Sequence, residues 1–430
     1  MKHLLRFYST AIIMGFALAY PMAHASQSIT ENKTEIVTLQ DVVKKIGSDN
    51  YLVLENALRV YQAKEAIAVA RGNLLPKLNL WRLLTIPFDP SSVLGLVEDI
   101  APFLVPANWF RLEEAKILFL AQKEGYRALW SNELLTAKSL YVHALMDQII
   151  LNQIQEDQNQ LTNILIIVKS RETFGGMPQG TSRDIEVRLL ALKEDQRSME
   201  VLLGEETNLL SYMMGLPATT DLIITPVELP DYSSLDPLNY ADFEFRAIDS
   251  SPEIRQFEHL IAASDYVTKE VTYAFLGASS MSRGVAGGIF DSLPSQQGLG
   301  FGTGASIRIS QGQKEILKIQ KKGVEETVKR SLKLLVNNYN LDLESYRNLG
   351  RRAKLTNAAM LQLYERLKLG ENIEPLSLIE ASRNQIQGKA AFLAVQIRFL
   401  MSEDKLARLI FYGDYNLPPA TIESLEEKKP

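Results

Sequence analysis

The 430-residue chain contains no cysteine. That excludes a disulfide framework, a thiol nucleophile and a lipid-modified amino-terminal cysteine. Histidine is nearly as scarce: His3 and His24 fall in the first 25 residues, and His143 and His259 lie in separate helical runs without a partner at metal-ligand spacing. No G-x-S-x-G elbow or phosphate loop occurs, and GFGTGA (residues 300–305) sits inside an alternating stretch rather than between a strand and a helix. The chain does not read as an enzyme, and no catalytic residue, metal or cofactor is expected. A net charge of -5 provides no basic footprint for nucleic acid. Beyond residue 25, no apolar run approaches the ~20 residues that a transmembrane helix needs.

The amino terminus carries an export signal. Lys2 and Arg6 form a short positive start, an apolar run covers residues 11–20, and Ala23-His24-Ala25 is a small-x-small cleavage site. Residues 1–25 are therefore expected to be a signal peptide with Ser26 as the first mature residue. The alternative, a membrane anchor, is disfavoured by the shortness of the run.

Most of the mature chain has helical periodicity. Apolar positions predict a helix over residues 39–75, closed by Pro76, and a proline-rich non-helical stretch follows to about residue 109. A long helix is predicted from about 112 to 174: Tyr126, Trp130, Leu134, Ala137, Tyr141 and Ala144 recur every three or four residues. Some 60 residues at 1.5 Å each span roughly 90 Å, the dimension of a coiled coil. FGGMPQGTSRD (residues 174–184) breaks this helix, and Thr181 or Ser182 can cap its return partner. That partner stops at Gly215-Leu216-Pro217.

The plan then starts again about 200 residues later, the signature of an internal duplication. A short helix over 252–273 leads to a strand region over 275–310, a long helix over 313–369, the turn LGENIEPLS (residues 369–377), and a helix returning to Phe411 and Tyr412. The expected organisation is a first repeat over 26–217, with its hairpin at 77–109 and long helix at 112–174. A connector follows over 218–240, the stretch from Pro217 to Tyr240 holding four prolines, with a short strand at 221–227. The second repeat covers 241–413, and 414–430 form a polar tail.

LGFGTGASIRIS (residues 299–310) alternates strictly. Leu299, Phe301, Thr303, Ala305, Ile307 and Ile309 form one set; Gly300, Gly302, Gly304, Ser306, Arg308 and Ser310 form the other. Alternation of this kind predicts a strand with one apolar and one wet face. One hairpin per repeat gives four strands per chain. They can pack as a ribbon on a helix, or strands from several chains can close a barrel. In a barrel, Leu299, Phe301, Ile307 and Ile309 face lipid, while Gly300, Gly302, Gly304, Ser306 and Arg308 face the lumen.

The duplicated helix-hairpin-helix order, the signal peptide, NLLPKLNL (residues 73–80) at the first hairpin, MGLP (214–217) at a helix end, and GENIEPLSLIEASRNQ (370–385) at the second turn together resemble the TolC family of outer-membrane efflux and secretion ducts. The resemblance spans nearly the whole mature chain. It implies a mainly α protein with a small β part. Three chains would build one twelve-stranded outer-membrane β-barrel, continued by a helical coiled-coil barrel. The implied function is passive export across the outer membrane of a Gram-negative bacterium, in a tripartite efflux or type I secretion system, with most of the mass in the periplasm. The implied partners are two further copies of the chain, a periplasmic adaptor, an inner-membrane pump and outer-membrane lipid.

Family pattern places the periplasmic aperture at Asp184, Ser377 and Glu380, with Ser377 standing where an acidic residue is usual. The adaptor-docking turns fall on Gly176, Gly180, Thr181, Ser182, Gly370, Glu371 and Asn372. The same residues also have plainer readings: the glycines as turn formers, and Glu371, Glu374 and Glu380 as solvated helix-end charges. The first hairpin departs from the pattern. Arg82 interrupts its alternation and it holds Pro87, Pro90, Pro102 and Pro106, the last where a return strand should run. A chain with such a hairpin could instead be a periplasmic coiled-coil scaffold or docking protein, derived from the TolC fold without a complete barrel.

Overall fold

The computed structural model describes residues 33–76, 101–227, 229–273, 302–371 and 373–416. The expected signal peptide, residues 77–100 of the first hairpin region, residues 275–301 of the second, Asn372, and the tail beyond 416 lie outside them.

In chain order the elements are β1 (Lys33–Val37), α1 (Leu39–Ser48), α2 (Tyr51–Gly72), α3 (Pro106–Thr173), α4 (Thr181–Met213), β2 (Thr220–Ile224), α5 (Ala241–Ser250), α6 (Pro252–Tyr273), α7 (Thr303–Lys368) and α8 (Pro375–Leu409). Short 3-10 turns cover Pro102–Leu104 and Gly413–Asn416. The long helices α3 and α7 have 68 and 66 residues, each about 100 Å at 1.5 Å per residue. The sequence of short helix, long helix, turn and return helix thus occurs twice. Helices α2 and α4 pack along α3, and α6 and α8 pack along α7. The two halves are joined because α3 also packs against α6 and α8.

The stripe read from the sequence is the core. Tyr126, Trp130, Leu134, Ala137, Tyr141 and Ala144 on α3 are all buried, against Val42, Val53 and Leu210 from α1, α2 and α4. Within this core Lys138 is buried between Asp404 at 3.1 Å and Asp414 at 2.8 Å.

Four helices end in the same manner. The closing amides of Gly176, Leu216, Glu371 and Tyr412 donate to the carbonyls five residues earlier, Arg171, Ser211, Arg366 and Ala407, at 2.8, 3.0, 3.1 and 2.8 Å. The residue before each closing amide has positive φ: Gly175 at 73°, Gly215 at 67°, Gly370 at 95° and Phe411 at 49°. Glycine takes this left-handed position without penalty. Phe411 takes it while buried, with the Arg127 and Arg408 guanidiniums 5.7 and 5.6 Å from its ring centre.

The short helices meet the return helices end to end. Asn50 caps α2, accepting from the Val53 amide at 3.0 Å, while its own side-chain amide donates to the Met213 carbonyl at the end of α4, at 2.8 Å. In the second half Ser251 accepts from the Ile254 amide at 3.4 Å, and Arg408 near the end of α8 pairs with Glu253 in the first turn of α6.

Several sequence expectations are corrected. The helix expected over 39–75 is two, because Asn50 caps a fresh start at Tyr51. Strand β1 was not anticipated; it runs parallel to β2 in a register that pairs Lys33 with Thr220 and Val37 with Ile224. The expected strand at 221–227 is seen as Thr220–Ile224. The first hairpin was expected to reach residue 109, but Pro106 instead occupies the first turn of α3, where a missing N–H costs nothing and φ is already helical. Most of the proposed strand at 299–310 is also helix, since α7 begins at Thr303. Thr303, Gly304, Ala305, Ser306, Ile307, Arg308, Ile309 and Ser310 therefore alternate in sequence but not in space. The spacing that matters there is four: Ser306 and Ser310 are both buried, and Ser310 shares a 2.7 Å hydrogen bond with Thr268 of α6. Packing of a small, polar helix face overrides local strand propensity. The lipid-facing role of Ile307 and Ile309 and the lumen-facing role of Gly304, Ser306 and Arg308 are withdrawn with it. Leu299, Gly300 and Phe301 lie outside the described residues, and Gly302 is the residue before α7.

Candidate functional site at the helical turns

The turns that end α3 and α7 are brought to one place. They share an apolar cluster: Leu161, Ile164 and Val168 of α3, Met177 of the first turn and Ile185 of α4 meet Met360 and Leu367 of α7, Ile373 of the second turn and Leu378 of α8. Burying Met177 and Ile373, one from each turn, fixes both loops to the helices beneath them.

A polar clamp ties the two turns together. Arg171, in the last turn of α3, donates from Nη2 to the Leu367 carbonyl at 2.6 Å and from Nη1 to the Glu371 carbonyl at 2.8 Å. The carbonyls at a helix end carry unsatisfied acceptor capacity and partial negative charge, so a guanidinium fork is well suited to them. Glu172, the next residue, accepts from the Ser182 amide at 2.7 Å and from its hydroxyl at 2.5 Å. These bonds, the hydroxyl's first, hold the Glu172 carboxyl below the usual range. The Thr181 hydroxyl donates to the Pro178 carbonyl at 2.8 Å.

Of the residues singled out from the sequence, Gly176 and Asp184 are exposed, Gly180 adopts φ of 101°, Thr181 is buried, and Ser182 is bound to Glu172. Gly370 has positive φ, and Glu371 is exposed and accepts from Arg366 Nε at 2.6 Å. Asp184 and Ser377 each directly precede a fully buried residue, Ile185 or Leu378. Glu380 is exposed on α8. The sequence reading missed Arg171, Glu172 and Arg366. A signal for the arginines existed: RETFG and RLKLG repeat an R-x-x-x-G pattern 195 residues apart.

Away from the turns, carboxyl groups lie between the helices. Asp157 of α3 is 3% exposed and 4.0 Å from Lys389 of α8. Burial pushes its carboxyl up to about 6, against the pull of that lysine. Glu206 of α4 faces Asp147 of α3; burial first, then the neighbouring carboxyl, raise Glu206 to about 7, and burial raises Asp147 as well.

This arrangement is a bundle of long packed helices whose two turns are clamped together at one end. Among the described residues, no helix is long and apolar enough to cross a membrane. The chain has a TolC-like fold, that of a class of outer-membrane channels. It is similar to a membrane protein from Pseudomonas aeruginosa at 14% identity and TM-score 0.68, over 87% of this chain and 90% of that one. It is similar to the Campylobacter jejuni CmeC outer membrane channel at 12% identity and TM-score 0.66, over 90% and 88%. A third solved relative in shape is the open state of the Neisseria gonorrhoeae MtrE outer membrane channel, at 14% identity and TM-score 0.65, over 87% and 89%. No protein-family model and no curated protein matches the chain.

Proposed function

We propose that this chain is the outer-membrane channel component of a tripartite efflux or type I secretion system, a passive conduit rather than an enzyme. It would act as a homotrimer resident in the outer membrane of a Gram-negative bacterium, exported by its signal peptide. Its periplasmic turns would dock an adaptor protein coupled to an inner-membrane pump. The observation that carries this reading is the duplicated pair of ~100 Å helices with the fold of outer-membrane channels along nearly the whole chain.

With the long helices starting at Pro106 and Thr303, the barrel strands in this reading would come from residues 77–100 and 274–301. Both segments fall, in chain order, between a short helix and a long one, and in this reading they would stand at the end away from the clamped turns. Each is long enough for two membrane strands of about 9–11 residues and a turn. Pro102 and Pro106 no longer fall within a strand. Three chains would supply twelve strands, with Leu299 and Phe301 facing lipid and Gly300 facing the lumen; Gly302, with helical backbone at the start of α7, drops out of that set. At the other end, three copies of Asp184 would ring the aperture with Ser377 and Glu380 beside them. The exposed turns around Gly176 and Gly370 would meet the adaptor.

The test is to separate cell envelopes by density and wash them with carbonate. Retention in the outer-membrane fraction supports the channel. Release into the soluble periplasmic fraction would sink it and favour a coiled-coil scaffold.

A further inference from the structure

Arg171 and Arg366 occupy the same place in the two halves, yet they are used differently. Each lies four residues before the left-handed glycine of its turn, and each backbone carbonyl accepts the closing amide. Arg171 reaches out of its own half to the Leu367 and Glu371 carbonyls. Arg366 folds back onto the Glu371 carboxylate of its own turn, at 2.6 Å, with both side chains about half exposed. Moving the Arg171 contacts by the 195-residue offset identifies the acceptors that correspond to them for Arg366. They are the carbonyls of Glu172 and Gly176, on a first-half turn.

The helices repeat the same asymmetry. In the chain, α3 packs on α6 and α8, but the corresponding pairing of α7 with α2 and α4 is not extensively made among the described residues. Those helices instead present apolar side chains to solvent. Leu334, Leu341 and Leu355 on α7 are 61%, 62% and 61% exposed, and Val187, Val201 and Leu209 on α4 are 61%, 63% and 49% exposed. The three leucines are spaced by seven and fourteen residues, a heptad stripe without a partner. One occupant fits both faces, a second copy of this chain that presents its first half where the chain's own first half does not reach. Such a contact is head to tail, and it closes a ring when the rotation permits.

We propose that Arg366 is an intermolecular latch. On assembly it leaves Glu371 and donates to the Glu172 and Gly176 carbonyls of the neighbouring copy, repeating at each junction between chains the clamp that Arg171 makes within one. Glu371 is then the competitor that holds Arg366 in the separate chain. The latch rests on the ring reading given under the proposed function, and the test separates the two.

The full-length protein is extracted in detergent, its mass is measured by light scattering, and the temperature at which the assembly dissociates is recorded for wild type, Arg366→Ala and Glu371→Gln. The latch predicts a multimer, a lower dissociation temperature for Arg366→Ala and a higher one for Glu371→Gln, because removing the competitor frees the arginine. If Arg366 merely fastens its own turn, the two substitutions shift the temperature in the same direction or not at all, which overturns the latch while the ring stands. A monomeric mass for wild type overturns the ring and the latch with it.

Discussion

Gly215 and Asp49 approach so closely that a Cβ built on the glycine would stand 2.3 Å from the Asp49 carbonyl oxygen. This is the point where the end of α4 turns past the start of α2, so the junction between two stacked helices is set by backbone contact. Gly175 has a similar φ, 73° against 67°, but open space around it. The two glycines therefore separate conformational strain from crowding. Gly175→Ala is predicted to destabilise by about 1 kcal/mol, the left-handed penalty alone. Gly215→Ala should lose about 3 kcal/mol or more, since overpacking adds to it. Equal losses in denaturant melts of the two variants would refute the crowding argument.

Asn50 serves two helices at once, capping α2 and satisfying the last carbonyls of α4 through Met213. Asn50→Ala removes a cap worth about 1 kcal/mol and leaves a buried carbonyl unpaired at a cost of similar size or greater. A total loss of about 2–3 kcal/mol is expected. Asn50→Asp keeps the cap but not the donor, and should fall between the two; chemical denaturation of all three proteins checks the order.

Asp157 predicts a pH dependence with a definite sign. Its folded-state carboxyl titrates near 6 rather than at the ordinary 3.8, so between about pH 4 and pH 6 the folded chain binds more protons than the unfolded one. Stability contributed by this group is present below that window and lost as pH rises through it. Asp157→Asn should flatten the slope over pH 4–6 and stabilise the protein at pH 7 by about 1–2 kcal/mol, less than the shift alone implies because Lys389 loses its anion. Unfolding free energies that keep the wild-type slope would rule out this assignment.

Arg171→Ala should loosen the turns more than the molecule. Two charge-assisted bonds to the Leu367 and Glu371 carbonyls are lost, about 2–3 kcal/mol locally. Hydrogen exchange at the Gly370 and Glu371 amides is predicted to accelerate, with the Tyr126 to Tyr141 core unaffected. Unchanged exchange at those amides would mean that the clamp does not hold the second turn.

Much of this architecture is legible in the sequence, and the exceptions have physical causes. The buried stripe from Tyr126 to Ala144 is large and regular, so periodicity alone locates it. The turn glycines are legible because left-handed backbone leaves few alternatives to glycine, and Phe411 shows the limit of that rule. The start of α7 was misread because its packed face is made of Ser306 and Ser310, small residues that carry no hydrophobic signal. The break at Asn50 was missed because apolar spacing continues through it, and β1 because five residues pair with a strand nearly two hundred positions away. At the candidate site the turns were found from composition. The Arg171 clamp was not, since its acceptors are backbone carbonyls that leave no trace in side-chain pattern.

The central claim is that this chain forms a conduit through the outer membrane, and conductance tests it most directly. Full-length protein reconstituted into planar lipid bilayers is predicted to give discrete, long-lived steps of ionic current, each step being one assembled channel. Bilayers that remain silent with folded, detergent-extracted protein at concentrations where outer-membrane channels insert would contradict the account.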